Sequence, residues 1–231
     1  MVDIGGRRLR LVAAGPAADE AAADTPTVLL EAGAFGFSAD WGVVQARLAD
    51  LNIRSLAYDR AGLGHSDPSP DPRDGEAILS DLERLLEAAG EAPPYILVGH
   101  SMAGLRVHLM AARRPDWFSG VVLVDASTPD ATEAPIGRGY LNAFAFASRL
   151  FAGLSRLGVL KAFARHGDRI GLEGAARDEK RLFFPQAEHN RVAAAEVDLW
   201  MTTAAQARAA GGYAPNLPIA VVTAGAAAPD H

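Results

Sequence analysis

Apolar residues fall along this chain in short runs, separated by stretches with helical spacing. Residues 27–30, 53–58, 95–98, 120–124 and 218–223 form such runs, the second carrying Arg54 and Ser55, the pattern of strands covered on both faces. Upstream, Leu9, Leu11 and Ala13 recur at every second position, the first two beside Arg8 and Arg10, as in a half-buried strand. Between the runs, Val43, Val44 and Leu48 recur at helical spacing, as do Ile78, Leu82, Leu85 and Leu86. Gly90 and the Pro93–Pro94 pair end the second helix. The segment AGPAADEAAADTP at 14–26 carries no packing signal and reads as a loop. Strands alternating with helices predict an α/β fold, a mostly parallel central sheet with helices on both faces. No internal repeat is visible.

Residues 130–212 break that rhythm. Leu141, Phe144 and Phe151, and then Leu150, Leu154 and Leu157, form apolar stripes at helical spacing, and 191–210 also reads as helix. We expect a helical lid at 130–212, inserted into a core made of 1–129 and 213–231 in a single-domain chain. The lid aromatics are expected to pack onto the core and together to bound an apolar acyl or alcohol pocket. Arg149, Arg156, Lys161 and Arg165 then form the solvated face, and His166 and His189 are expected on the lid surface.

Composition narrows the function. With 231 residues, 49% of them hydrophobic, the chain can bury one substantial core. A net charge of −6 without a long basic run argues against a nucleic-acid partner. The absence of cysteine excludes disulfides, thiolate metal sites and a cysteine nucleophile, and fits a cytoplasmic protein. The N-terminal MVDIGGRRLRLVAAG lacks a signal-peptide core, and no stretch reaches the ~20 apolar residues of a membrane span, so no membrane partner is expected. Neither HExxH nor a His/Asp/Glu cluster at ligand spacing occurs, so no metal or other cofactor is expected. Asp67, Asp71 and Asp74 lie among Ser and Pro and read as a solvated turn.

The chemistry sits in YILVGHSMAGL at 95–105: an apolar run, a serine among small residues, then a helix. A serine hydroxyl becomes a useful nucleophile when a sharp strand-to-helix turn lifts it clear of the sheet, beside a base and backbone N–H donors. Gly99 precedes Ser101 by two and Ala103 follows by two, a G-x-S-x-A version of the G-x-S-x-G turn. Ser101 is therefore the candidate nucleophile. The N–H of Met102, at the head of the following helix, is the first candidate oxyanion donor.

With VLLEAGAFGFSADW at 28–41, LAYDRAGLGHSD at 56–67 and GVVLVDAS at 120–127 in the same order, the chain resembles the α/β-hydrolase fold superfamily. The resemblance implies a lidded serine hydrolase of the esterase or lipase type, acting by acyl transfer on a small-molecule ester or amide. Where the family carries His-Gly, this chain has Ala32-Gly33, which implies Ala34, or in second place Phe35, as the other oxyanion donor. Ser replaces the Asp that alkyl-enzyme chemistry would need at the elbow.

Two residues compete for the triad acid. Asp125 ends the run GVVLVD, on the same sheet rim as Ser101 in a parallel sheet, though it could equally tie the following loop. Asp230 stands where most of the family carries its acid. The base has no good match among His65, His100, His108, His166, His189 and His231. In the family the chain runs on to a further strand, the catalytic histidine and a last helix, so the base is expected beyond His231. The strand at 218–223 is then expected to present an open edge through which this chain self-associates. A non-catalytic binding protein on the same fold, and a cofactor-free perhydrolase or haloperoxidase-like activity, are the alternative readings.

Overall fold

The computed structural model describes residues 1–20, 25–169 and 171–225, and for 165–169 the backbone alone. A short antiparallel pair, β1 (Val2–Asp3) and β2 (Arg8–Leu9), precedes a six-stranded sheet. The sheet strands are β3 (Leu11–Ala14), β4 (Thr27–Glu31), β5 (Ser55–Tyr58), β6 (Tyr95–His100), β7 (Phe118–Val124) and β8 (Ile219–Val222). Their order is β3-β5-β4-β6-β7-β8, with β3 antiparallel to β5 and every other pairing parallel. Leu9 and Leu11 thus belong to two strands in two sheets, rather than to the single strand that their alternation suggests.

The apolar runs have the expected cause. Along β4, Leu29 enters one core layer with Leu97, Val107 and Leu109, while Val28 and Leu30 enter the opposite layer with Ala57, Val98 and Trp41. Both faces are covered, so both need apolar side chains. Helix α1 (Gly42–Asp50) follows β4, α2 (Gly75–Ala88) follows β5, and α3 (Ala103–Arg113) follows β6. Asp74, expected in a solvated turn, caps α2 by accepting from Ala77 N at 3.0 Å.

After β7 come α4 (Pro129–Glu133), α5 (Pro135–Arg156), a 3-10 segment (Val159–Arg169), α6 (Gly174–Phe183), α7 (Ala187–Asp198) and α8 (Trp200–Ala209). The aromatic stripe of α5 divides: Leu141 is buried and Phe144 and Phe151 are half-buried, but Leu150 and Leu157 face outward. Of the aromatics expected to pack onto the core, Phe144 and Phe151 do so in part, whereas Phe146 is exposed. Among the described residues no helix is long and apolar enough to cross a membrane.

Strand β8 lies at the sheet edge, as expected, but departs from the expectation of cover on both faces. Its apolar run implies cover on both faces, yet all four residues are exposed. Among the described residues, β7 is its only strand neighbour. An unpaired apolar edge recruits further strands. We expect this chain to self-associate in sedimentation velocity and Val221→Lys to return it to the monomer; a monomeric parent chain would contradict the expectation.

Candidate active site

Ser101 occupies the β6–α3 turn with φ +55°, a left-handed backbone that costs a serine about 1–3 kcal/mol. Its neighbours hold it there. Ser101 N donates to Val124 O at 3.1 Å, and Ser101 O accepts from Gly104 N (3.0 Å) and Ser127 N (2.9 Å). At Gly99 a Cβ would stand 2.4 Å from Val107 Cγ2, so only glycine lets α3 approach the strand this closely. Ala103, at the second glycine position of the turn pattern, is fully buried with its methyl accommodated.

The loop after β4 lies against this elbow. A Cβ at Gly33 would stand 3.1 Å from Ser101 Cβ and from His100 O, so a side chain there would crowd the elbow. Gly36 N donates to Gly33 O at 3.2 Å, and Phe35 takes φ +58°, which closes a tight turn around Ala34 and Phe35. Ala34, Phe35 and Met102 pack in one cluster with Leu105, Leu141 and Phe144. Among the described residues the amides of Ala34, Phe35 and Met102 donate to no acceptor. These unpaired N–H groups belong to the elbow and to the loop that Gly33 sets against it.

A buried charge network holds the loop. The Arg60 side chain, 1% exposed, ion-pairs with Glu31 at 3.1 Å and with Glu196 of α7 at 2.8 Å. It also donates to Ala32 O (2.8 Å), Gly33 O (3.0 Å) and Gly36 O (3.2 Å). Arg106 of α3 adds bonds to Ala32 O at 2.6 Å and Glu31 at 2.7 Å. The carbonyls of Ala32, Gly33 and Gly36 are taken up by guanidinium groups, while the amides of Ala34 and Phe35 stay free among the described residues. Burial opposes the charge on Arg60, but Glu196 and Glu31 outweigh it and hold the guanidinium above its ordinary range. Burial likewise opposes the charge on Glu196, which Arg60 and Arg106 hold below the usual carboxylate range. Removing one partner strands the other charge, at a cost of about 3–5 kcal/mol.

Helices α6 and α7 grip the same loop from outside. His189, expected on the surface, is 4% exposed. Its Nδ1 accepts from Gly64 N at 3.1 Å, so Nε2 carries the proton and donates to Phe35 O at 3.3 Å. Lys180 donates to Phe35 O at 3.4 Å and pairs with Asp40 at 2.8 Å. Burial, then the Lys180 cation, pushes His189 down from 6.5 to about 4; the Phe35 carbonyl and Asp40 pull the other way, and Arg60 adds a little to the fall. Between these values the unfolded chain binds a proton that the folded chain refuses. Stability from this group is therefore complete above about pH 6.5 and falls by about 3 kcal/mol as pH drops to about 4. Urea unfolding at neutral and acid pH should show this loss, reduced in His189→Gln; the same pH dependence in both proteins would contradict it.

Asp125 lies at the end of β7, with φ +42°. Its N donates to Val222 O at 2.8 Å, and its Oδ1 accepts from Ala224 N at 2.8 Å. It therefore ties the exit of β8, the structural role that its sequence position allowed, while Oδ2 accepts nothing among the described residues. Asp230 and His231 lie outside the described residues, as does the side chain of His166. The other histidines are placed elsewhere. His65 lies 4.0 Å from Glu179 and edge-on to Phe183, and His108 bonds Gly211 O at 2.7 Å. His100 is exposed at the end of β6 and lines a cavity of about 310 Å³ with Gly33, Val124 and Leu172. No described histidine hydrogen-bonds Ser101 or Asp125.

Known proteins place this geometry. Residues 26–156 match the family described as alpha/beta hydrolase fold. The chain belongs to the α/β-hydrolase fold family. The protein YqjL of Bacillus subtilis is 35% identical over 104 residues, 45% of this chain and 41% of its own. The sn-1-specific diacylglycerol lipase ABHD11 of Mus musculus is 35% identical over 111 residues, 48% of this chain and 36% of its own. The chain thus spans less than half the length of these relatives. In three dimensions it is similar to Cfl2 from Burkholderia cenocepacia, with TM-score 0.71 and 24% identity over 96% of this chain and 85% of that one.

Within this α/β-hydrolase chain, the residues that sequence reasoning missed are those of the clamp. Arg60 was visible inside DRAGLGHSD, and Glu31 as a charge ending an apolar run. Both were signals of buried ions at strand ends; neither named its partner.

Proposed function

We propose that the protein is a serine hydrolase acting by acyl transfer on a small ester, or an amide, with an apolar acyl group. The observation that carries the reading is Ser101 at positive φ on a strand-to-helix turn, next to the unpaired amide of Met102 and against a loop, brought close by Gly33, whose Ala34 and Phe35 amides are also unpaired among the described residues. Ser101 Oγ attacks the carbonyl carbon and yields its proton to a histidine. Ala34 N–H, with Phe35 N–H as the alternative, and Met102 N–H hold the oxyanion. The C–O bond to the alcohol then breaks, the histidine returns the proton to the leaving alcohol, and water releases the acid from the serine ester by the same route. Asp125 orients the histidine, with Asp230 as the alternative acid. That histidine lies outside the described residues.

A cavity of about 340 Å³ lined by Phe35, Phe144, Phe151 and Phe184 suits an apolar acyl group. Phe35 is the neighbour of Ala34, which sets this cavity beside the proposed oxyanion donors. In the intact protein, kcat/KM for p-nitrophenyl butyrate should exceed that for the acetate. That no described histidine hydrogen-bonds Ser101 or Asp125 favours a second reading, a binding protein that has kept the pocket. Apolar acids that bind without any ester turnover in the intact protein would establish that reading instead.

A further inference from the structure

Helix α5 carries its large apolar side chains outward. At about 100° per residue, Leu141, Phe144, Ser148, Phe151 and Ser155 share the face that packs on the molecule. The opposite face carries Phe146, Leu150 and Leu157, which are 69%, 55% and 78% exposed, and beside Phe144 on the flank Ile136 and Tyr140 are 89% and 60% exposed, with Tyr140 stacked on Phe144 at 5.9 Å. A helix at a water boundary normally shows polar residues there, and a continuous apolar patch of this kind marks an interaction surface. Phe163, in the 3-10 segment that follows, is 60% exposed.

Charge identifies the partner. Residues 134–167 contain no Asp or Glu and five Lys or Arg, in a chain of net charge −6. Arg138, Arg149 and Arg156 fall along one flank of the exposed stripe. Arg149 pairs with Asp198 at 2.9 Å, whereas Arg138, Arg156 and Lys161 have no ion-pair partner among the described residues. A second copy docking through the same face would set like charges against each other. A bilayer with anionic headgroups accepts both halves of the surface: apolar side chains enter the boundary region while the cations stay at headgroup level.

We propose that α5 lies along an anionic lipid surface and docks the protein there. Lying on a bilayer differs from spanning one, for which no described helix is suited. The inner face of the same helix contributes Phe144, Ala147 and Phe151 to the apolar cavity beside Phe35. A lipid acyl ester therefore becomes the substrate class, a consequence that rests on the serine-hydrolase reading, although the docking does not.

Co-sedimentation of the full chain with vesicles tests the proposal. Binding is expected to vesicles of mixed phosphatidylcholine and phosphatidylglycerol and to be weak on phosphatidylcholine alone. Phe146→Ser/Leu150→Ser and Arg138→Gln/Arg156→Gln, all exposed positions, should each weaken it about tenfold or more. Ser101→Ala should bind as the parent does, which separates docking from catalysis. No binding to the mixed vesicles, or binding indifferent to both α5 variants, would overturn the proposal. So would self-association that Phe146→Ser/Leu150→Ser dissolves and Val221→Lys does not, since the face would then join two copies.

Discussion

Replacing Ser101 by alanine is expected to lower ester turnover in the intact protein by about 10⁶-fold in kcat, the scale seen when a triad nucleophile is removed. The substitution is informative because it leaves the backbone alone. Alanine carries the same Cβ at the same positive φ, so the elbow at φ +55° is no more strained than before. The bonds from Ser101 N to Val124 O and from Ser127 N to Ser101 O are made by the main chain and persist. Only the Oγ is lost. Unfolding midpoints of the two proteins should agree, and a rate equal to the parent's would remove Ser101 from the mechanism.

Asp125→Asn is expected to lower kcat by about 10⁴-fold, because an amide cannot stabilise the imidazolium or fix its tautomer as a carboxylate does. The exchange separates the two roles open to Asp125. An asparagine oxygen still accepts from Ala224 N, as Oδ1 does at 2.8 Å. Asparagine also tolerates the positive φ of +42° at this position. The tie to β8 survives, and the negative charge goes. Asp230→Asn should leave the rate unchanged. The reverse pair of results would move the acid to Asp230 and leave Asp125 as a clasp between strands.

What was legible in the chain follows from how each feature writes itself. Parallel strands buried on both faces must be apolar on both, so β4 to β7 stand out as apolar runs, and a serine between such a run and a helix marks the elbow. The Arg60 clamp could not be read in the same way, because its partner Glu196 lies 136 residues away and a buried ion looks like any other charge in sequence. Helix α7 hid itself for a related reason. Its buried face is made of His189, Asn190, Ala193, Ala194 and Glu196 beside only two valines, so hydrophobic periodicity showed no inward side and His189 passed for a surface residue. On α5 the periodicity was clear but ambiguous: both faces are apolar, and only the packing of Leu141, Phe144 and Phe151 shows which one turns inward. β8 read as a covered strand because apolar character reports what a residue could bury against, not whether that neighbour is present.

An activated Ser101 reacts with a fluorophosphonate, which loses fluoride and leaves a phosphonate ester on Oγ. The intact protein is treated with the reagent and the adduct located by mass spectrometry of its peptides. One adduct is expected, on the peptide that carries Ser101, absent from Ser101→Ala and much slower to form in Asp125→Asn. An active protein that takes the label on a different residue, or hydrolyses esters while Ser101 stays unmodified, would contradict that role for Ser101.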